Sequence, residues 1–298
     1  MSLHDIALIG FGEAGTILGS DLASQGMRVR MFDRLLQDPR QRPAMQEKAR
    51  HSRVQALDEP AQAVAGAQLV ISAVTAGSAL EVAASLAPLL SPGQLFMDIN
   101  SVAPGTKQSA CTLIEACGAA YVDAAVMAPV PPQRLKTPML LGGRFAGDLT
   151  KALKPLDFNT RAVSEKVGVA SAIKMCRSVM IKGLEALTYE CLASANHYGV
   201  EQEVLASLHK SFPSLGWDGE LPHYLISRIA EHGRRRSEEM QEVALTVQQA
   251  GVASHLSQAT SASQLAVVNA MAAKNLRYAD LLPFDWRELM EHLRAGAN

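Results

Sequence analysis

Cysteine is scarce and scattered, with Cys111, Cys117, Cys176 and Cys191 the only four in 298 residues. None forms a C-x-x-C pair or falls at metal-ligand spacing, so a disulfide framework and a zinc site are both disfavoured. The eight histidines include no H-E-x-x-H. No window approaches the roughly 18 uninterrupted apolar residues that a spanning helix needs. The start, Met1-Ser2-Leu3-His4-Asp5, has no positive n-region, and the apolar stretch 6–9 stops at Gly10, so no secretory signal is expected. Charge is low as well, at 19% of residues and a formal net −1, and no basic excess points to nucleic acid. The densest basic run, Arg234-Arg235-Arg236, is followed by Glu238 and Glu239. It reads as a solvated helix face, with anion binding as the alternative. What remains is a soluble, reduced, cytoplasmic protein with no metal, nucleic-acid or membrane partner. Its 48% hydrophobic residues suffice for a substantial core.

The first half alternates short apolar runs with helical stretches. Strands are expected at 6–9, 27–32, 54–57, 69–74, 95–99 and 121–126, with helices at 14–24, 78–89 and 104–117 between them. Pro104 suits a helix start, where its missing N–H costs nothing, and Gly118 suits a C-terminal cap. Alternating β and α elements predict a parallel, doubly wound sheet. The strand rhythm fades after about residue 163. A long helix is then expected over 170–197, where Ile173, Cys176, Met180, Leu184, Leu187 and Cys191 form one apolar stripe at three- and four-residue spacing. Further helices are expected at 201–210, 221–232, 238–250, 262–273 and 286–293. The architecture is α/β: a Rossmann domain at 1–163, followed by an all-helical substrate and dimerisation domain at 164–298. The long helix joins the two. Trp217 and Trp286 are expected in the helical core, and 212–217 in a loop near the site.

Gly10-Phe11-Gly12-Glu13-Ala14-Gly15 fits G-x-G-x-x-G. Three glycines at this spacing are weak evidence alone, arising by chance in roughly one chain in ten of this length at the average glycine frequency. Their context is stronger. They follow an apolar strand, open a helix and sit near the N-terminus. Glycines let the backbone turn tightly and approach a pyrophosphate, which then faces the positive end of the helix dipole. Asp33 ends the second strand about 20 residues on, where a carboxylate accepts from the adenosine ribose hydroxyls. The cofactor-binding set is therefore Gly10, Phe11, Gly12, Glu13, Ala14, Asp33 and Arg34. Ala73, Val74 and Thr75 join it from the loop after the fourth strand, and Asn100 from the fifth. Asp33 favours NAD by repelling a 2′-phosphate. Arg34, with Arg40 and Arg42, makes NADP the alternative.

With these pieces placed, the chain resembles the β-hydroxyacid dehydrogenase family, which includes 6-phosphogluconate and 3-hydroxyisobutyrate dehydrogenases. The resemblance spans nearly the whole length. Besides the glycine motif it rests on Asp98-Ile99-Asn100-Ser101-Val102-Ala103-Pro104 and on Tyr121-Val122-Asp123-Ala124-Ala125-Val126. Gly168-Val169-Ala170-Ser171-Ala172-Ile173-Lys174, at the start of the long helix, is the most specific. The resemblance implies that Lys174 is the general acid/base, protonating the substrate oxygen during reduction and removing the hydroxyl proton during oxidation. A lysine starts near pKa 10.4, and partial burial beside a cofactor pocket lowers it toward working pH. Lys166 and Lys182 are expected to be ordinary.

The departures mark a divergent branch with an altered substrate loop. The family's asparagine four residues after its lysine is here Ser178, preceded by Arg177. The i, i+4 spacing keeps Ser178 on the lysine's face. The family's serine-threonine pair is here Asn100-Ser101. Its serine-glycine-glycine loop, which grips a substrate carboxylate, is here Met127-Ala128-Pro129-Val130-Pro131-Pro132, and proline supplies no N–H. A further family lysine falls loosely at Glu242. The implied substrate-binding residues are Asn100, Ser101, Met127, Arg177 and Ser178. The implied substrate is larger, or less acidic at that end, than a simple 3-hydroxy acid. Arg177, His223, Arg234 and Arg236 are candidates to replace the lost anion contacts.

The expected function is NAD(P)-dependent hydride transfer on an alcohol/carbonyl pair. An imine reductase and a non-catalytic dinucleotide sensor are the alternatives. The expected partners are a small-molecule substrate and a second copy of the chain, paired through the helical domain.

Overall fold

The computed structural model describes residues 3–294. These form two compact units that divide between residues 175 and 176. The first is α/β. Its elements run β1 (Asp5–Ile9), α1 (Glu13–Ser24), β2 (Arg28–Phe32), α2 (Arg42–His51), β3 (Gln55–Ala56), α3 (Pro60–Val64), β4 (Leu69–Ser72) and α4 (Ala79–Leu86). They continue with β5 (Leu95–Asp98), α5 (Pro104–Ala116), β6 (Ala120–Val126), α6 (Val130–Gln133), β7 (Met139–Gly142), α7 (Ala146–Leu153) and β8 (Thr160–Ser164).

The eight strands form one sheet in the order β3-β2-β1-β4-β5-β6-β7-β8. Strand order reverses at β1, which pairs with both β2 and β4. Residues along each strand point alternately to the two faces. Ile6 and Leu8 join Leu69 and Ile71 in a core shared with Leu18, Leu22 and Leu149. Ala7 and Ile9 join Val70 in a second core with Leu86 and Ile114. A sheet covered on both faces needs strands apolar throughout, and β4 and β5 are buried at every position. The same pairing sets the ends of β1, β4 and β5 in a row, Ile9 opposite Ser72 and Ser72 opposite Asp98, with Asp98 in turn opposite Asp123 in the middle of β6.

Two strands were not legible in the sequence. β7 is four residues long and runs antiparallel to β6, which corrects the expectation of a wholly parallel sheet. A short link of one α-helical turn, α6, and one 3-10 turn (Arg134–Lys136) replaces the crossover helix that a parallel pair requires. β8 is polar at three of its five positions, has no fully buried one and lies at the sheet edge.

The helix α8 (Val169–Tyr198) begins in the first unit and continues in the second, followed by α9 (Glu201–Ser211), α10 (Leu221–Gln249), α11 (His255–Ala273) and α12 (Trp286–Arg294). The second unit packs around Leu192, Leu225, Ile229, Met271, Leu289 and the two tryptophans, with Trp286 fully buried and Trp217 nearly so. Residues 212–217 lie between helices, as expected.

Two expectations need correction here. The helices predicted at 221–232 and 238–250 are one continuous helix. Gly233 does not break it but marks its closest approach to α11, since a Cβ there would stand 2.6 Å from the Gln264 carbonyl oxygen. The apolar stripe on α8 is also mostly exposed, and of its six residues only Leu184 packs against the core. Cys176, Met180, Leu187 and Cys191 are exposed, whereas Ser178, Lys182, Glu185 and Thr188 are buried. Their partners are ionic. Lys182 Nζ lies 2.9 Å from Glu239, Arg236 Nε donates to Glu185 at 2.9 Å, and Gln264 Nε2 donates to Glu185 at 3.1 Å. Polar groups are buried when they are paired, and these are paired across α8, α10 and α11. No helix among the described residues is long and apolar enough to cross a membrane.

Candidate functional site

The glycine loop leaves β1 with three different physical demands. Gly10 has φ +92°, and a Cβ there would lie 2.4 Å from the Ala73 carbonyl oxygen. At Gly15 a Cβ would lie 2.3 Å from the Gly10 carbonyl oxygen, so this residue seats the helix on the loop. Gly12 has no such reason, because a Cβ would meet nothing within 4 Å. Its smallness serves whatever approaches from outside. Gly12 is also the N-cap of α1, and no side chain caps that end. The first N–H groups of a helix need acceptors and sit in the positive end of its dipole. Open space over Gly12, an uncapped helix start and a carboxylate at the neighbouring strand end together fit a dinucleotide. Glu13 is exposed in the first turn, and Ala14 packs against the core. Phe11 contributes through its backbone, since its ring is fully buried.

Asp33 holds this loop as well as facing outward from it. Its Oδ2 accepts the Phe11 N–H at 2.7 Å, and its Oδ1 accepts the Leu35 N–H at 2.9 Å. Each oxygen retains a second lone pair for an outside donor. Arg34 beside it is exposed. Lys48, unremarked in the sequence, donates from Nζ to the Phe11 carbonyl at 2.7 Å and lies over the Phe11 ring. On the other side of β1, the Val74 N–H donates to Asn100 Oδ1 at 2.7 Å, and Asn100 Nδ2 donates to Ser72 Oγ at 2.9 Å. Asn100 thus binds the loop 73–75 to the end of β5. Thr75 is exposed, and its hydroxyl donates to Ser78.

Lys174 is half-buried on the early turns of α8, and its Nζ donates to Ser101 Oγ. The start of that helix is fixed from the sheet. Asp123 Oδ2 accepts the N–H groups of Gly168 and Ser171, both at 3.1 Å, and Oδ1 accepts the Ser171 hydroxyl at 2.9 Å. A buried carboxylate is well placed there, because it satisfies helix N–H groups and answers the dipole. Gly168 has φ +95°, the left-handed region that glycine tolerates best.

The first unit therefore brings together the glycine loop, Asp33, the loop 73–75, Asn100, Ser101 and Lys174 at the carboxyl ends of its strands. Ligands gather there in doubly wound sheets, at the point where strand order reverses. Met127 is half-buried and its N–H donates to the Pro138 carbonyl at 2.9 Å, so that amide is already engaged. Arg177 and Ser178 lie in the second unit. Arg177 is exposed, whereas Ser178 is buried and accepts from Lys182 Nζ at 3.3 Å.

Three expectations about basic residues change. Lys182 is not ordinary but buried and paired. Arg236 is engaged by Glu185, and the Arg234 side chain donates to Asn269. The chief omission from the sequence reading was Lys107, which is fully buried against Asp98. Its signal was present: Lys107, Ala110 and Ile114 share the buried face of α5, and a lysine on an apolar stripe needs a partner.

Comparison with known proteins agrees with this arrangement. Residues 5–148 match the NAD binding domain of 6-phosphogluconate dehydrogenase, and residues 195–267 match a domain of unknown function, DUF1932. A conserved hypothetical protein from Sinorhizobium meliloti 1021 is 38% identical in sequence. Its crystal structure superposes with a TM-score of 0.76, over 98% of this chain and 96% of that one. The conserved protein MTH1747, described as structurally similar to 3-hydroxyacid dehydrogenases, is 31% identical with a TM-score of 0.68, over 87% of this chain and 95% of that one. The 3-hydroxyisobutyrate dehydrogenase of Pseudomonas aeruginosa is 27% identical over 221 residues, 72% of each chain. An imine reductase from Myxococcus stipitatus, 16% identical with a TM-score of 0.56 over 98% of this chain and 99% of that one, shares the fold.

The three glycines separate experimentally. Gly12→Ala is expected to cost at most about 1 kcal/mol, the worth of a poorer N-cap, while weakening NADH and NADPH binding. Gly15→Ala is expected to cost about 1–3 kcal/mol or more, since backbone must move to admit the methyl. Thermal melting and coenzyme fluorescence titration of the two variants distinguish these effects.

Proposed function

The chain belongs to the β-hydroxyacid dehydrogenase family, and from that premise we propose that it is an NAD(P)-dependent oxidoreductase with Lys174 as general acid/base. Its reaction moves a hydride between the nicotinamide and an alcohol/carbonyl pair. The observation that carries this proposal is the Lys174–Ser101 hydrogen bond at the strand ends beside the glycine loop. Gly10, Gly12 and the start of α1 hold the pyrophosphate, and Asp33 accepts from the adenosine ribose. Bound nicotinamide supplies the hydride chemistry. Lys174 holds the proton at Nζ and delivers it to the carbonyl oxygen in reduction, or receives the hydroxyl proton in oxidation. Ser101 accepts from that ammonium and fixes its direction.

The substrate is not a simple 3-hydroxy acid. Where the family offers amides and a hydroxyl to a carboxylate, this chain has three prolines without N–H and a Met127 N–H already engaged by Pro138. A larger or less acidic aldehyde or hydroxy compound suits that loop. Imine reduction is the second candidate, since the fold is shared with an imine reductase. The Lys174 ammonium disfavours it, because a substrate iminium would carry like charge next to the proton donor. A sensor that binds the dinucleotide without chemistry would have no need of an acid/base at 174. Cytoplasmic location and use of NAD rather than NADP complete the proposal, the latter resting on the Asp33 carboxylate.

We assign dimer formation to the exposed stripe of α8, where Met180 is 73% and Leu187 65% exposed. Apolar side chains left open at helical spacing suit a second copy of the same helix.

Lys174→Ala is expected to lower kcat by about 10²–10⁴ with coenzyme affinity retained. A coenzyme-coupled screen of short aldehydes, oxo acids and imines measures it, and wild-type turnover in the variant would sink the acid/base assignment. Asp33→Asn is expected to weaken NADH binding roughly tenfold, the worth of one charge-assisted hydrogen bond, while NADPH binding holds or improves. Separate titrations with the two coenzymes decide this, and a wild-type preference for NADPH would refute the NAD assignment. Replacing Met180 and Leu187 together by Glu is expected to give a folded monomer in sedimentation velocity. An unchanged dimer would place the interface elsewhere.

A further inference from the structure

Lys107 lies in the first turn of α5 with its side chain fully buried. A lysine is rarely found in that state unless its charge is answered. Its ammonium has three protons, and three oxygens surround it. The Asp98 carbonyl oxygen lies at 2.6 Å, Asp98 Oδ1 at 2.9 Å and Asp123 Oδ1 at 3.6 Å. Both aspartates are themselves buried, Asp98 at the end of β5 and Asp123 opposite it in the middle of β6.

The other bonds of these carboxylates reach Tyr121 on β6, the segment after β5 and the start of α8. Asp98 Oδ1 also accepts the Asn100 N–H at 2.9 Å, and Oδ2 accepts the Tyr121 hydroxyl at 2.7 Å. Burial and the adjacent Asp98 push the Tyr121 phenol well above its ordinary range, so it stays a donor. Asp123 takes the backbone and hydroxyl of Ser171. Ser101 stands three residues beyond Asp98, and Lys174 three residues beyond Ser171. Those two side chains meet in a hydrogen bond. Together with the short chain segments 98–101 and 171–174, these contacts close a ring, from Lys107 to Asp98, along the chain to Ser101, across to Lys174, along α8 to Ser171 and back to Asp123.

Stability alone does not explain such a cluster. Replacing a buried ion pair by apolar groups of similar volume is often neutral or stabilising. Apolar groups would not give direction, however, and here each charged bond orients one loop. We infer that Lys107 is a positioning residue, setting the approach of the Lys174 ammonium to Ser101 through Asp98 on one side and Asp123 on the other. Its consequence for catalysis rests on the acid/base assignment of Lys174.

Lys107→Met removes the charge and keeps most of the length. Competitive acetylation of the full-length protein with acetic anhydride, read peptide by peptide by mass spectrometry over a pH series, reports the Lys174 amine without any substrate. Exposed Lys166 is the internal standard. The Lys174 rate relative to Lys166 is expected to change by about threefold or more, equivalent to half a pKa unit, with its pH midpoint displaced. Ser171→Ala cuts only the hydroxyl bond from Asp123 to α8. It is expected to give a smaller change in the same direction, and it carries the test if Lys107→Met does not fold. A wild-type Lys174 profile in a cooperatively melting Lys107→Met protein, or in Ser171→Ala if that alone folds, overturns the inference. Failure of the parent assignment looks different: Lys174→Ala would then keep its turnover, whatever the labelling of the Lys107 variant showed.

Discussion

Two carboxylates sit opposite each other on adjacent strands of a sheet covered on both faces, and one lysine lies against both. Asp98 and Asp123 reach their positions because the register of β5 on β6 sets them opposite each other. An isolated carboxylate in such a place would be very costly to ionise. Every oxygen is therefore answered, by the Lys107 ammonium, the Tyr121 hydroxyl, the N–H of Asn100 and the N-terminus of α8. These bonds tie the sheet to the helix that carries Lys174. The proposed acid/base site would inherit its geometry from them.

The dinucleotide site follows a complementary rule. The surroundings of Lys174 are built from satisfied groups, whereas the glycine loop is built from open ones. Gly10 and Gly15 are pressed against backbone, but Gly12 faces empty space before an uncapped helix. An anion can approach only where the chain has left its N–H groups unused and no side chain in the way. Asp33 belongs to both regimes, since it braces the loop through two backbone bonds and presents its charge outward. The loop 73–75 is braced in the same way by Asn100.

The second unit inverts a common pattern. The long helix buries Ser178, Lys182 and Glu185 and exposes Met180 and Leu187. The charges inside balance, with Lys182 on Glu239 and Arg236 on Glu185. These bonds link α8 to α10 and α11, since Glu185 accepts from both Arg236 and Gln264. The tight α10–α11 contact at Gly233 belongs to the same packing.

Local sequence determined what depends on short range. The Rossmann half was legible in runs of apolar residues bounded by glycines, and the helical half in three- and four-residue spacing. The glycine loop was legible because strand, turn and helix follow one another within fifteen residues. Lys174 was legible through the motif around it, and Ser101 through the motif after β5. The tertiary structure decided everything that depends on which faces meet. β7 follows an irregular proline-rich link and β8 is polar at three of five positions, so neither announces itself locally; pairing to the sheet makes them strands. The stripe on α8 had the right period but the wrong side, because periodicity gives a face and not its neighbour. Lys107, Lys182 and Arg236 looked like surface charges, since a lone sequence carries no record of the carboxylates that fold against them. Burial of a charge depends on a partner distant in the chain, and that partner exists only once the strands and helices have docked.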